Sequence, residues 1–594
     1  MRLDLSLLFL SLPLPALLAA FTASAAGAAA QPAAPASSSS PPACPDAGLK
    51  LPPGFCATVF ADGLGHARHL VVSADGVVYV NTWSGRYYGD QPPPPGGFIV
   101  AAGDSNGSGK AATIRRFGPT PERGGHGGTG IALYRGALYA EESDRIERYA
   151  LTPGSIVPNG QPQTVVSGLP LSGDHPMHPF VIDASGALYV DVATATNSCQ
   201  ERNRQFQSPG IKPCTELETR GGVWLFDANS TAQKFSPAQR YATGIRNADG
   251  IALAPEGHGI YATQHGRDQL RQNFPALYKP EEEATQPAEE LLRLTRGGDY
   301  GWPQCYFDEI LGRLVLAPEY GGDGGKAVGV CAQKLPPVAS FPAHWAPNDV
   351  IIYGGTSFPA RYRGGAFIAF HGSWDRAPYP QGGYNVVFQP LPATGTPGRC
   401  EVFADGFAGA VKDPGRAEHR PSGVAVGPDG ALYIADDTGG RIYRVVYRGG
   451  TATKASYTPC PPVDAPAGSP GGAGASPPEG VHANAGAAAA LLVPPGSSRQ
   501  MVELGDAVFH GRAGGGTCTG CHGTDASGTP LGPPLLGQHW IWGDGSYASI
   551  EDTIRKGVPQ PKQYRSAMPP MGGSQLSEEQ LSAVAAYVWA LSHR

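Results

Sequence analysis

The chain has 594 residues, a formal net charge of −6, 16% charged and 41% hydrophobic residues. That balance excludes a nucleic-acid binder held by bulk positive charge and a disordered polyelectrolyte. Gly 83 and Pro 59 run at about twice average usage, which argues against an all-helical fold and for short strands joined by many turns, and the length is too great for one ordinary domain, so at least two are expected.

Residues 1–26 read as a secretory signal. Arg2 precedes an apolar stretch from Leu7 to Phe21, and Ala23-Ser24-Ala25 is a small-residue cleavage site. A retained membrane anchor is the alternative, but Pro13 and Pro15 interrupt the apolar run. No later stretch is long and apolar enough to span a bilayer. The expectation is no transmembrane span after cleavage, and a periplasmic or secreted product. Residues 27–43 form an Ala/Pro/Ser-rich segment, 44–460 a large body, 461–498 a Pro/Gly/Ala linker and 499–594 a small C-terminal unit. The body holds eight cysteines, an even number that suggests disulfides in an exported chain. Cys199–Cys214 and Cys305–Cys331 are the expected pairs, because each brackets a loop containing Gly or Pro.

The body carries a degenerate repeat at residues 69–82, 130–142, 178–192, 249–265 and 422–437, with a sixth strand pair around 350–372. The repeat is a short apolar run, a turn with glycine, then a second alternating run containing tyrosine. That is a β-hairpin signature. Six hairpins predict an all-β six-bladed β-propeller, because radial repetition removes exposed sheet edges. An open sandwich is the alternative. Several polar runs fall at strand ends or just before hairpins, where a propeller places its top-face residues. They are GDHPMHP at 173–179, GIRNADG at 244–250, TQHGRDQL at 263–270, GGDYGWPQCYFD at 297–308, FHGSWDR at 370–376 and HRP at 419–421. Arg, His and Asn converging from several blades suit a planar polyanion. No GxGxxG follows a first strand and no HExxH occurs, so neither a nicotinamide nor a flavin is supported.

The C-terminal unit holds Cys518-Thr519-Gly520-Cys521-His522, the c-type haem attachment pattern. Two intervening residues let both sulfurs reach one porphyrin edge while His522 ligates the iron. Val502, Leu504, Val508 and Phe509 predict a helix before the motif. Ser577 to Gln580 reads as a capping box for a closing helix through Leu581, Val584, Ala585, Val588 and Leu591. Met568 and Met571 are candidate distal ligands. The unit is therefore expected to be a small all-α cytochrome c domain.

These motifs carry two resemblances. Residues 500–593 resemble a class I cytochrome c, which implies one covalent haem c, Met568 as axial iron ligand and the Pro533 carbonyl holding the second nitrogen of His522. Residues 51–448 resemble the soluble PQQ-dependent glucose and L-sorbosone dehydrogenase family. The sorbosone and pyranose branch is nearer, through QHGRDQL, DYGWPQCYFD and FHGSWDR. That resemblance implies pyrroloquinoline quinone and Ca²⁺ on the upper face, a sugar or sugar aldehyde as substrate, and an external electron acceptor, either a cytochrome or a quinone-linked chain. It implies His175, beside Asp174, as general base, with His178 as an alternative. Arg246 and Asn247 would bind and polarise the quinone oxygens. His265 would contact the cofactor, and the carbonyls of Gly266 and Arg267 would ligate Ca²⁺. Arg420 would bind a cofactor carboxylate, and His371 would line the pocket. Two positions depart from the family pattern: Gly354 stands where the glucose enzyme has a lysine, and Ser422 where it has an arginine. Two other readings stay open at this point: a calcium-dependent propeller hydrolase or lactonase, and a non-catalytic binding propeller, each fused to a cytochrome.

Overall fold

The computed structural model describes residues 44–593 apart from 83–93, 121–127, 205–206, 255–258, 377–378, 393–396, 413–416, 450–457, 462–487 and short stretches between 489 and 575. The expected signal and the Ala/Pro/Ser-rich segment lie outside the described residues, as does most of the expected linker.

Six sheets, antiparallel but for the short edge Gln233–Lys234 that runs parallel to Gln163–Ser167 in one of them, make a six-bladed propeller. Each predicted hairpin supplies the first two strands of one blade. In blade 1, Ala67–Val72 pairs with Val78–Thr82. In blade 2, Ile131–Tyr134 pairs with Ala137–Glu142, and in blade 3, Phe180–Ile182 pairs with Ala187–Val192. Blade 4 begins with Ile251–Leu253 and Ile260–Gln264, blade 5 with Pro347–Ile352 and Ala366–Phe370, and blade 6 with Pro421–Val426 and Leu432–Asp436. The first strands of neighbouring blades pack side by side all the way round, from blade 6 back to blade 1. The outermost strand of blade 6 is Phe55–Ala61, which pairs with Ile442–Tyr447. The two ends of the body thus share one sheet and close the ring, leaving no gap between the last blade and the first.

The strand AFIAF of blade 5 shows why the sequence folds this way. Phe367 and Ala369 enter the apolar cluster shared with blade 6, whereas Ala366, Ile368 and Phe370 enter the one shared with blade 4. Both faces of the strand are buried, so the strand is apolar throughout rather than alternating. Corresponding clusters fill the other four clefts between blades.

Four disulfides staple the body: Cys44–Cys56, Cys199–Cys214, Cys305–Cys331 and Cys400–Cys460. The two expected pairs are present. The other two join chain segments brought together by the blades themselves; Thr458–Pro459, beside Cys460, adds a short edge to Glu401–Ala404, beside Cys400.

The C-terminal unit is helical, with Arg499–Phe509, Cys518–His522, Tyr547–Lys556 and Glu578–Ser592. Ser577 caps the last helix in a full capping box with Gln580. The first and last helices cross at Gly505, where a Cβ would sit 2.0 Å from the Ala583 carbonyl oxygen. Ala488 and Leu491, within the stretch read as linker, are buried in this unit's core. Among the described residues, no helix is long and apolar enough to cross a membrane.

Candidate functional site

In an antiparallel hairpin the start of the first strand and the end of the second lie at the same edge. Arg68, Arg246, Asn247 and Arg420 stand at or just before first strands, while His265, His371 and Asp437 follow second strands. Blades 1, 4, 5 and 6 therefore present these side chains at one rim of the propeller, and the Asp174–His175 turn before the first strand of blade 3 joins them.

His175 is buried, and its Nδ1 donates to the Thr194 carbonyl at 2.8 Å. A carbonyl only accepts, so the ring's lone pair lies on Nε2. Burial, then the Arg246 charge, push the His175 imidazole down to about 3. The turn that presents it needs Gly173, whose φ is +93° and whose Cβ would lie 2.3 Å from Ala195 Cα. Asp174 does not orient His175 through that Nδ1. Instead, Arg204 Nε donates to Asp174 at 2.8 Å, and Asn203 Nδ2 is 3.3 Å away. Burial raises the Asp174 carboxyl, but Arg204 outweighs it and holds it below the usual range.

Arg246 is also buried. Nε donates to Asn197 O at 3.1 Å, Nη1 to Gly266 O at 2.9 Å, and Nη2 to Asn197 Oδ1 at 3.0 Å and Asp268 Oδ2 at 2.7 Å. These contacts engage four of the five guanidinium N–H groups. Asp268 also accepts from Arg204 at 3.0 Å. Burial raises its carboxyl, yet the two guanidiniums keep it well below the usual range. His265 Nε2 donates to Pro347 O at 3.1 Å, and burial, then Arg246, push this imidazole down to about 3. His371 Nε2 lies 2.8 Å from Asp437 Oδ1; burial, then Arg420, push the imidazole down to about 4. Arg420 donates to His371 O and Gly372 O at 3.0 and 2.9 Å, with its guanidinium 5.4 Å from the Tyr384 ring centre. Arg68 bridges Asp437 and Asp249 at 2.9 and 2.8 Å.

His178 is placed differently. It is 1% exposed, with Nδ1 3.1 Å from Glu141 Oε1 and Nε2 3.0 Å from Pro170 O. Both ring nitrogens are engaged within blades 2 and 3.

The arrangement fits a planar polyanion. Arginines surround three imidazoles held neutral, and Asn247 Oδ1 is buried without a partner. The Gly266 carbonyl accepts from Arg246 and has a second lone pair to offer a cation. Sequence reasoning missed Arg204, Thr194, Asn197 and Asp437 as parts of this site.

At the C-terminal motif, His522 Nδ1 donates to the Pro533 carbonyl at 2.8 Å. This leaves Nε2 as the ligand atom, and burial keeps the imidazole neutral by pushing its pKa down. Cys518 and Cys521 share its short helix and are not disulfide-bonded; burial pushes the Cys518 thiol up to about 12. Met568 is pinned by two backbone bonds to Val558 at 2.7 and 3.0 Å, and its side chain packs on the unit's core. Two unbridged thiols, an oriented imidazole and an apolar core fit a covalent haem.

A propeller with this cationic rim, joined to a c-type haem unit, defines an oxidoreductase with its own one-electron carrier. The chain belongs to the TrAA12-like family of PQQ-dependent sugar dehydrogenases, which matches residues 49–448. Residues 505–588 match the family of cytochrome c oxidase, cbb3-type, subunit III. The fold is shared with a family AA12 carbohydrate-active enzyme of Trichoderma reesei, 18% identical at a TM-score of 0.53, covering 67% of this chain and 97% of that one. It is shared too with the PQQ domain of pyranose dehydrogenase from Coprinopsis cinerea, 18% identical at a TM-score of 0.52, covering 68% and 98%. An uncharacterized protein of Borreliella burgdorferi is 29% identical over 210 residues, 35% of this chain and 48% of the relative. The cbb3-type cytochrome c oxidase subunit FixP of Rhizobium etli is 39% identical over 79 residues, 13% of this chain and 27% of the relative. The chain thus spans about half the length of the first of these relatives and about a quarter of the second.

Proposed function

We propose that the protein is an exported dehydrogenase that oxidises a sugar or sugar aldehyde with pyrroloquinoline quinone and delivers the electrons through its own haem c to an external acceptor. The observation that carries this reading is His175: a buried neutral imidazole whose Nε2 keeps its lone pair beside the Arg246 guanidinium. Four disulfides agree with an oxidising compartment outside the cytosol.

His175 Nε2 takes the hydroxyl proton of the substrate, and Thr194 holds the ring in the tautomer that can do so. Pyrroloquinoline quinone, when bound, would supply a two-electron acceptor for the hydride, and the Gly266 and Arg267 carbonyls would hold a Ca²⁺ able to polarise it. Arg246, Asn247, His265 and Arg420 would hold that cofactor. The uncommitted N–H of Arg246 is directed by its four fixed bonds, so little reorganisation is needed as negative charge develops. His371, fixed by Asp437, lines the pocket. His178 braces the turn through Glu141 rather than taking the proton.

His522 and Met568 would ligate the iron, with Cys518 and Cys521 as the covalent anchors. Burial, then the Arg204 and Asp174 charges, act on the Cys521 thiol, which supports a short electron path from the rim to the haem. The haem, when bound, would supply a one-electron carrier for the two electrons released by each substrate.

The test is spectroscopic. The full chain, loaded with PQQ and Ca²⁺, should show the reduced-haem band on addition of an aldose or sorbosone. In His175→Gln this band should form at least about 100-fold more slowly, while dithionite reduces the haem normally. Equal substrate-driven rates in both proteins would refute the base assignment.

A further inference from the structure

Asp268 connects the rim to a second cluster. Its carboxylate, the His344 imidazole and the Asp375 carboxylate offer ligand atoms that all lie within 4.8 Å of one another, and all three residues are buried. They come from three separate places: the loop after the second strand of blade 4, the approach to blade 5, and the loop after its second strand. His344 Nε2 lies 2.7 Å from the Glu283 carbonyl and 3.1 Å from that of Gln286. Carbonyls only accept, so Nε2 carries the hydrogen and Nδ1 is the ring's ligand atom. This backbone-oriented imidazole is the usual setting of a metal-binding histidine.

A third carboxylate, outside that group of three, comes from Glu283, 1% exposed on the short helix Pro280–Thr285. It abuts Asp375. Its Oε2 accepts the Arg271 N–H, and its carboxyl lies in hydrogen-bond reach of the Asp375 carboxyl, so the pair holds either a shared proton or a cation. Asp375 Oδ2 accepts the Gln269 N–H at 2.7 Å. Two abutting buried carboxylates repel when both are ionised, and the deficit calls for a cation. The chemistry proposed for the rim uses none of His344, Asp375 and Glu283.

We propose that Asp268, His344 and Asp375, with Glu283 set behind Asp375, bind one divalent transition-metal ion, Zn²⁺ or Mn²⁺. One imidazole with carboxylate oxygens suits such an ion, whereas Ca²⁺ prefers an all-oxygen shell. Its ligands are side chains, not the Gly266 and Arg267 carbonyls, although Asp268 is the next residue in the chain. Its ion fixes Asp268, and Asp268 in turn holds Arg204 and Arg246.

The experiment uses the haem-loaded full chain, stripped by a chelator and equilibrated with Zn²⁺ or Mn²⁺ alone, then with excess Ca²⁺. Bound metal is counted against haem iron by elemental analysis. The expected result is one ion per haem iron, retained against Ca²⁺, with a higher thermal midpoint. His344→Gln and Glu283→Gln should each weaken binding at least tenfold while keeping the haem spectrum. Less than one ion retained by the wild type overturns the proposal. So does equal binding by wild type and a folded variant, which would mean an adventitious ion only. If neither variant folds, the wild-type count and its resistance to Ca²⁺ decide the matter.

Discussion

At His175, Thr194 fixes the tautomer and burial beside Arg246 excludes the imidazolium, so the group is a base before any substrate arrives. This has a pH consequence whose sign is fixed. The folded pKa, about 3, lies below the unfolded value of about 6.5, so the contribution of His175 to stability is complete above the unfolded pKa. It declines as pH falls from about 6.5 toward 3, by about 1.4 kcal/mol per pH unit. Urea unfolding of the cofactor-free wild type and His175→Gln at pH 7 and pH 4.5 should show the wild type losing more. A parallel pair of curves would mean that the imidazole is protonated in the folded protein. Arg204 is a second such residue. It joins Asp174 to Asp268 and is largely buried. Arg204→Ala leaves two carboxylates without their shared cation, and should lower stability by about 3–5 kcal/mol. A loss below 1 kcal/mol would show that solvent screens this pair. The sequence marks His175 through its motif but says nothing of Arg204. Its partners lie 30 and 64 residues away, and no local pattern records a bridge between loops.

At the scale of elements, hairpins were the legible part. Alternation and a glycine turn are local properties, so the first two strands of every blade can be read directly. Outer strands such as Ile99–Gly103 and Thr113–Phe117 escape because they lack the repeat and depend on a neighbour already in place. The loop closed by Cys199–Cys214 links element to site, since Asn203 and Arg204 lie inside it. Replacing both cysteines with serine should cost about 3 kcal/mol in denaturant unfolding by the chain-entropy estimate. It should also slow substrate-driven haem reduction, because the support of Asp174 loosens. Full stability with full activity would show that the loop is held by its hydrogen bonds alone.

At the scale of the whole molecule, the ring depends on one strand. Phe55–Ala61 completes blade 6, and Cys44–Cys56 ties the chain just before it. Removing residues 44–61 should expose the edge Ile442–Tyr447 and broaden the unfolding transition; a sharp transition at the wild-type midpoint would mean that closure adds little. The ring was foreseeable from the count of hairpins, whereas its closure by the N-terminal strand was not, because strand pairing across about 390 residues leaves no periodic trace. Closure also makes the rim continuous across the five blades that carry these side chains. The most direct test is the reduced-haem spectrum of the full chain after sugar is added, with and without PQQ. Reduction that requires both PQQ and His175 is the predicted result. Reduction that proceeds equally without PQQ, or none with any aldose or sugar aldehyde while dithionite still reduces the haem, would contradict it.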